Sequence, residues 1–303
     1  MPGYRDLSRR QFSRGLGGLA TSFVVLGASE RVASAAPSAA QTRRKINLAG
    51  RQRMLSQRIA KAAFMFQLEV EPDRHLEMLA TAHDLFDTTL KDLRRGNPDL
   101  FLDPEENLEV IKGLGRVSSA WSPYRSAVKE VIEAQQVSAI NLFAIVRANL
   151  PVLKASHAVV QSLEAAYGGA GAGQSELART INVAGRQRML TQKMTKESCQ
   201  LSIYGRPKEL RAQLSETITL FDTSLKALTG AEGEVSVVPA PTQAISDKLA
   251  EVDTIWQEFG AVMSEIAGGR QPTMAEYAYM STKNDVLLKT MNEAVGLYEN
   301  VDG

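Results

Sequence analysis

Arginine is the residue type whose spacing in this chain points most clearly to chemistry. Arg53 and Arg188 occupy the same place in two nearly identical stretches, Ile46 to Gln57 and Ile181 to Gln192, which match at ten of twelve positions across an offset of 135 residues. A guanidinium is a rigid planar fork of N–H donors that fits a planar or trigonal oxyanion, and two of them flanking a small space bind such an anion with good geometry. Both stretches lack proline and are rich in helix formers, so each is expected to be helical. Ile46, Ala49, Gly50, Arg53 and Gln57 then fall on one stripe. Glycine inside a helix costs about 1 kcal/mol relative to alanine, so Gly50 and Gly185 require a packing or binding reason. Ala49-Gly50 and Ala184-Gly185 let another backbone come close, which places Arg53 and Arg188 at the close approach. Backbone amides near the helix start are further candidate donors. The bland alternative leaves Arg51, Arg53 and Arg58 on the surface with buried stems, or pairs them with acids such as Asp87 and Asp222. Near-identity here, beside divergence elsewhere, favours function.

The elements that position these residues follow from the repeat. Leu85-Phe86-Asp87-Thr88 recurs as Leu220-Phe221-Asp222-Thr223, Trp121 pairs with Trp256, Asn149 with Asn284, and Leu153-Lys154 with Leu288-Lys289, all at the 135-residue offset. Residues 41–166 and 176–301 are therefore two copies of one unit, joined by a glycine-rich linker over 167–175. Breakers at Glu71-Pro72, Gly96-Asn97-Pro98 to Asp103-Pro104 and Gln135-Gln136 divide the first copy into four helices. Gly205-Arg206-Pro207, Gly230 through Pro241 and Gly268-Gly269 divide the second in the same way. The expected fold is all-α: two tandem antiparallel four-helix bundles related by a pseudo-two-fold axis. Val235-Ser236-Val237-Val238 is at most a short extended piece. An even helix count returns each chain segment to the end where it started, so the two motif helices can lie side by side and parallel, which brings Arg53 and Arg188 together. Two arginines in contact repel unless something negative sits between them.

The 303 residues are 44% hydrophobic, 23% charged and only 6% aromatic, which suits helical bundles with real cores. Ser8-Arg9-Arg10-Gln11-Phe12, the apolar run from Leu16 to Ala28 and the small residues Ala33-Ser34-Ala35 read as a twin-arginine export signal cleaved near Ala35. No other segment approaches the roughly 20 apolar residues of a spanning helix. The mature protein is expected to be soluble and periplasmic. Residues 1–35 hold five arginines and two acids, which leaves 30 basic against 32 acidic side chains in the remainder. That balance disfavours nucleic acid and anionic membranes as partners. The lone cysteine, Cys199, has Phe64 as its counterpart in the first copy and is expected to be a buried filler.

Ile-Asn-x-Ala-Gly-Arg-Gln-Arg-Met-Leu-Ser/Thr-Gln, with Lys61 and Lys196 downstream, resembles the signature box of the sensor domain shared by type IV pili methyl-accepting chemotaxis transducers (PilJ-type) and NarX/NarQ-type nitrate/nitrite sensors. The two repeats cover nearly the whole mature chain, and Gly-Arg-Gln-Arg-Met is nearer the pili-transducer version. The resemblance implies a four-helix sensor bundle that, in the nitrate sensors, dimerises and holds the anion between equivalent helices through an arginine and nearby backbone. Carried over by residue, the arginine matches Arg53 and Arg188, and the glycine three before it matches Gly50 and Gly185. Asn47, Asn182, Arg51 and Arg186 join the candidate ligand-binding set from the same box, as do Gln57 and Gln192. Such domains usually sit between membrane helices that drive a kinase or chemotaxis module; here the domain is doubled, exported and detached.

Other chemistry is thin. His75, His83 and His157 share no metal-ligand spacing, and Cys-x-x-Cys-His is absent. No glycine-rich phosphate loop or Ser-His-Asp arrangement is present, so neither an enzymatic activity nor a cofactor is expected. The ten methionines, Trp121 and Trp256 read as core. The leading expectation is an exported sensor-type protein that captures a small anion, nitrate or nitrite first. The alternative is a ligand-free interaction module that docks on a membrane receptor, sensor kinase or transporter.

Overall fold

The computed structural model describes residues 37–168, 172–205, 207–231, 235 and 237–301; the segment read from sequence as an export signal lies outside them. Among the described residues the chain forms eight α-helices and no strand, as the sequence predicts. These are α1 (Ala39–Gln67), α2 (Pro72–Arg95), α3 (Leu108–Ala134), α4 (Ala139–Tyr167), α5 (Ala172–Ile203), α6 (Lys208–Leu228), α7 (Gln243–Ala267) and α8 (Met274–Glu299).

Helix starts are set by side chains that accept from otherwise unpaired backbone N–H groups. Ser38, Ser138 and Thr273 each close a reciprocal capping box, on α1, α4 and α8. Asn107 accepts from the Glu109 and Val110 amides at the start of α3. Helix ends fall at the breakers: Gln135 in the left-handed region after α3, and Gly96 at φ 78° after α2. Helix α5 begins at Ala172, inside the stretch that composition marks as linker, so the connection from α4 is shorter than 167–175.

The two copies fold alike. Helix α1 packs on α2 and α4, with α3 closing the first bundle; α5 packs on α6 and α8, with α7 closing the second. The most extensive contact between helices is α1 against α5. Lys196 of α5 reaches Gln57 of α1, and Arg188 reaches Asn47, so residue numbers rise together along the pair and the two helices run parallel. The core is aliphatic with a few aromatics: Phe64, Phe86 and Tyr124 in one bundle match Cys199, Phe221 and Phe259 in the other, all fully buried. Trp121 and Trp256 are core anchors, each tied through its indole N–H to Asp87 and Asp222 respectively. Those two aspartates are thereby committed to α3 and α7, so neither takes a motif arginine. Cys199 is buried as expected, which pushes its thiol up to about 12.

Candidate functional site

Arg53 and Arg188 are both 1% exposed, which makes them the bulkiest fully buried side chains among the described residues. The glycines make this possible. A methyl group at Gly50 would sit 3.2 Å from Nη2 of Arg53 and 3.6 Å from Nη2 of Arg188, and one at Gly185 would sit 3.2 Å from Nη2 of Arg188 and 3.8 Å from Nη2 of Arg53. The two guanidinium tips therefore converge in the hollow that Gly50 and Gly185 leave between α1 and α5. Gly50 lies eleven residues into α1, where backbone amides are already spent on the helix ladder, so the amide donors expected near a helix start are not available there.

Each arginine reaches across to the other copy. Nη2 of Arg53 donates to the Asn182 carbonyl at 3.4 Å, and Nη2 of Arg188 donates to the Asn47 carbonyl at 3.4 Å and to Asn47 Oδ1 at 2.7 Å. Each also meets the fourth helix of its own bundle, Arg53 at His157 Nδ1 (3.2 Å) and Arg188 at Asn292 Oδ1 (2.8 Å). Every one of these acceptors is neutral. Burial, then Arg188 and Arg186, push Arg53 down to about 9; burial and Arg51 push Arg188 down to about 10. Both therefore stay charged at neutral pH. Two unit charges 4 Å apart at an effective dielectric near 20 repel by about 4 kcal/mol, and burying each ion costs several more. His157 is held below its ordinary value by burial and by Arg53 and Arg186, so its Nδ1 is free to accept.

The other motif residues divide into three groups. Asn47 donates to Glu299, and Asn182 hydrogen-bonds Glu164, so each asparagine links the arginine hollow to a carboxylate of α8 or α4. Arg51 reaches the buried Thr89 Oγ1 of α2 (2.9 Å); Arg51 and Arg186 are both half-buried with Nε unpartnered, and they act on the arginine pair through charge rather than contact. Gln57 and Gln192 lie four residues beyond the arginines, about 6 Å along the helix axis. They belong to a separate layer with Lys61 and Lys196. Lys61 Nζ donates to Asn284 Oδ1 (2.8 Å) and Asp285 Oδ1 (3.2 Å), while Lys196 Nζ donates to Gln57 Oε1 (3.1 Å) and Asn149 Oδ1 (3.3 Å). Arg58, a candidate surface residue, pairs instead with Asp285 at 3.4 Å.

Burial pushes both lysines down to about 8 from 10.5. Below about pH 8 they are charged in the folded and unfolded chain alike, and the cost of burying them is fully present. Between about 8 and 10.5 the unfolded chain holds protons that the folded chain has released, so stability rises with pH. The Cys199 thiol, raised by burial from 9.0 to about 12, opposes this rise from pH 9.0 upward. The melting temperature is therefore expected to climb from pH 7 to about 9, and to climb less in Lys61→Met. A flat or falling profile over that range in the unaltered protein would mean that these amines titrate normally.

Sequence reasoning missed the partners on α4 and α8: His157, Asn292, Glu164 and Glu299. The signal that could have found them is the same 135-residue offset, which pairs His157 with Asn292 and Glu164 with Glu299.

The sequence model of the family described as type IV pili methyl-accepting chemotaxis transducer, N-terminal (PilJ), matches residues 35–143 and again 172–281. The chain belongs to this family. Both matched segments contain the arginine box, and both stop early in the fourth helix, before His157 and Asn292. The methyl-accepting chemotaxis protein McpN of Pseudomonas aeruginosa is 34% identical over 120 residues, which is 39% of this chain and 21% of that protein. The chain thus spans about a fifth of that relative's length. As a PilJ-family chain it is a sensory, signalling-type module built from two tandem family units. Among the described residues no helix is long and apolar enough to cross a membrane.

Proposed function

We propose that this chain is an exported, non-enzymatic sensor module that binds one small oxyanion, nitrate or nitrite first, between α1 and α5. The observation that carries the reading is the pair of buried arginines converging on Gly50 and Gly185 with only neutral hydrogen-bond partners. A monovalent planar anion between the guanidiniums turns their repulsion into two attractive charge-assisted contacts. Asn47 and Asn182 frame the site, Arg51 and Arg186 add positive field, and the layer of Gln57, Gln192 and the two lysines ties the bundles together beneath it. Arg53 and Arg188 draw on both bundles at once, so an anion held there senses how α1 sits against α5. The export reading rests on Arg9-Arg10 and the apolar run behind them, and it places the module in the periplasm. There its output passes to a membrane receptor, sensor kinase or transporter.

The docking alternative draws on one specific feature, the exposed Ile140, Phe143 and Leu150 on α4. A thermal-shift series on the full chain separates the two readings. Nitrate or nitrite at a hundred times its dissociation constant is expected to stabilise the fold by about 2.7 kcal/mol, with no response to chloride and none from Arg188→Ala. An equal response to all three anions, or a nitrate response that survives Arg188→Ala, would refute the arginine-pair site.

A further inference from the structure

The first bundle carries a second positively charged feature, on α2 and α3 rather than on the α1–α5 contact. Between α2 and α3 runs a groove of about 550 Å³, within the size range of small-molecule sites. It exists because the stripe of α3 that faces α2 is built from small residues, Gly115, Ser118 and Ser122, at i, i+3 and i+7. Leu90, Leu114 and Trp121 supply its apolar floor. Lys91, Arg94 and Arg95 occupy one face of α2 at i, i+3 and i+4 and form one end of the rim, while Arg125 of α3 stands towards the other end.

Three of these four cations, Lys91, Arg94 and Arg95, have no carboxylate partner among the described residues. Arg125 is paired with Asp87 at 2.8 Å, and among the described residues Arg94 donates only to the Glu105 carbonyl, at 3.4 Å. Lys91 and Arg95 make no ion pair among the described residues. A basic last turn complements the helix dipole of α2, but that explains neither the groove nor Arg125.

The repeat supplies an internal control. At the equivalent positions the second bundle has Lys226, Thr229 and Gly230 in place of Lys91, Arg94 and Arg95; Asp253 replaces Ser118, and Gly260 replaces Arg125. Lys226 is itself paired with Asp222 at 2.7 Å. Three cations are absent and one acid is gained on the same scaffold, so the basic rim is not a requirement of the fold.

We propose that the α2–α3 groove of the first bundle is a second binding site, one per chain, for a small organic molecule bearing two or more carboxylates. Lys91, Arg94 and Arg95 face one carboxylate of a ligand at one end, and Arg125, whose Nε is held by Asp87, offers its Nη donors to a second at the other, with the carbon chain over Leu90, Leu114 and Trp121. Ser118 and Ser122 offer hydroxyl donors along the way. Carboxylates suit the site better than a doubly charged phosphate, because Asp87 contributes a negative charge to the lining. Guanidinium forks also match the carboxylate plane.

Calorimetric titration of the full chain at constant ionic strength tests the proposal, with citrate and succinate as probes and acetate and inorganic phosphate as comparators. Citrate is expected to bind at one site per chain. Arg94→Gln/Arg95→Gln removes two charge-assisted contacts and is expected to weaken it by at least about tenfold. Ser118→Asp, which installs the second bundle's residue, is expected to weaken it comparably while the melting temperature holds. Arg53→Met is expected to leave citrate binding unchanged, which separates this site from the anion site between the bundles. Absence of binding heat, affinity unchanged in both groove variants, phosphate or acetate binding as tight as citrate, or loss of citrate binding in Arg53→Met would each overturn it.

Discussion

In anion-free buffer the double variant Arg53→Met/Arg188→Met is expected to melt higher than the unaltered protein and to lose all response to nitrate. Two buried charges with neutral partners repel each other; replacing even a buried pair of opposite charges by well-packed apolar side chains is often neutral or stabilising by about 1–4 kcal/mol, and like charges push the balance towards stabilisation. At about 2.1 cal/mol/K of unfolding entropy per residue, each kcal/mol is worth roughly 1.5–2 °C in a chain of this size, so the rise is within measurement. The groups left behind are not stranded. Asn292 is exposed, and Asn47 and His157 are only half-buried, so water can take over their hydrogen bonds. Methionine also fills the hollow against Gly50 and Gly185 without a charge to neutralise. The single variants are expected to lie between, because one remaining charge no longer faces a like charge but stays buried. A double variant that melts several degrees lower would make the arginines structural, and the anion site would fall with that result.

Glu105→Ala is expected to destabilise the fold by about 3–5 kcal/mol, the range for removing one partner of a buried ion pair. Glu105 lies in the connection between α2 and α3 and is 3% exposed. It accepts from Lys45 Nζ at 3.0 Å, where the two side chains are 3% and 1% exposed, and from the backbone amides of Glu106 and Asn107 at 3.1 Å and 2.9 Å. The Tyr167 hydroxyl at the end of α4 donates to it as well. One carboxylate therefore ties the start of α3 to both ends of the chain segment that forms the first bundle. Its loss leaves the Lys45 ammonium buried without a counter-ion. Adding Lys45→Met to Glu105→Ala is expected to restore much of the stability. The second bundle already uses the uncharged solution: Thr180 and Ala240 stand at these positions, and Thr180 Oγ1 accepts from the Val238 amide at 2.9 Å. Urea unfolding of the single and double variants measures both effects; equal loss in the two would show that the ion pair is not what stabilises this connection.

The sequence by itself determined the repeat, the eight helices and the pairing of Arg53 with Arg188. Each is carried by local or self-referential information: proline and glycine at the breaks, capping residues at the starts, and a second copy to compare against. The parallel contact of α1 with α5 also follows, because four helices return the chain to its starting end and two glycines at equal positions permit close approach. Tertiary structure alone decided what surrounds the arginines. Periodicity states which face of α1 carries Arg53 but not which residues of α4 and α8 meet that face; His157 lies 104 residues from Arg53, and Asn284 lies 223 from Lys61. It also separated Gln57 and Gln192 from the arginine layer, since four residues along a helix keep the face but change the height, and at that height the neighbours are lysines and asparagines. The α2–α3 groove was hidden for the same reason. Gly115, Ser118 and Ser122 look like ordinary helix surface until α2 is seen to pass over them, because a groove is a property of two elements and the space that their small side chains leave unfilled.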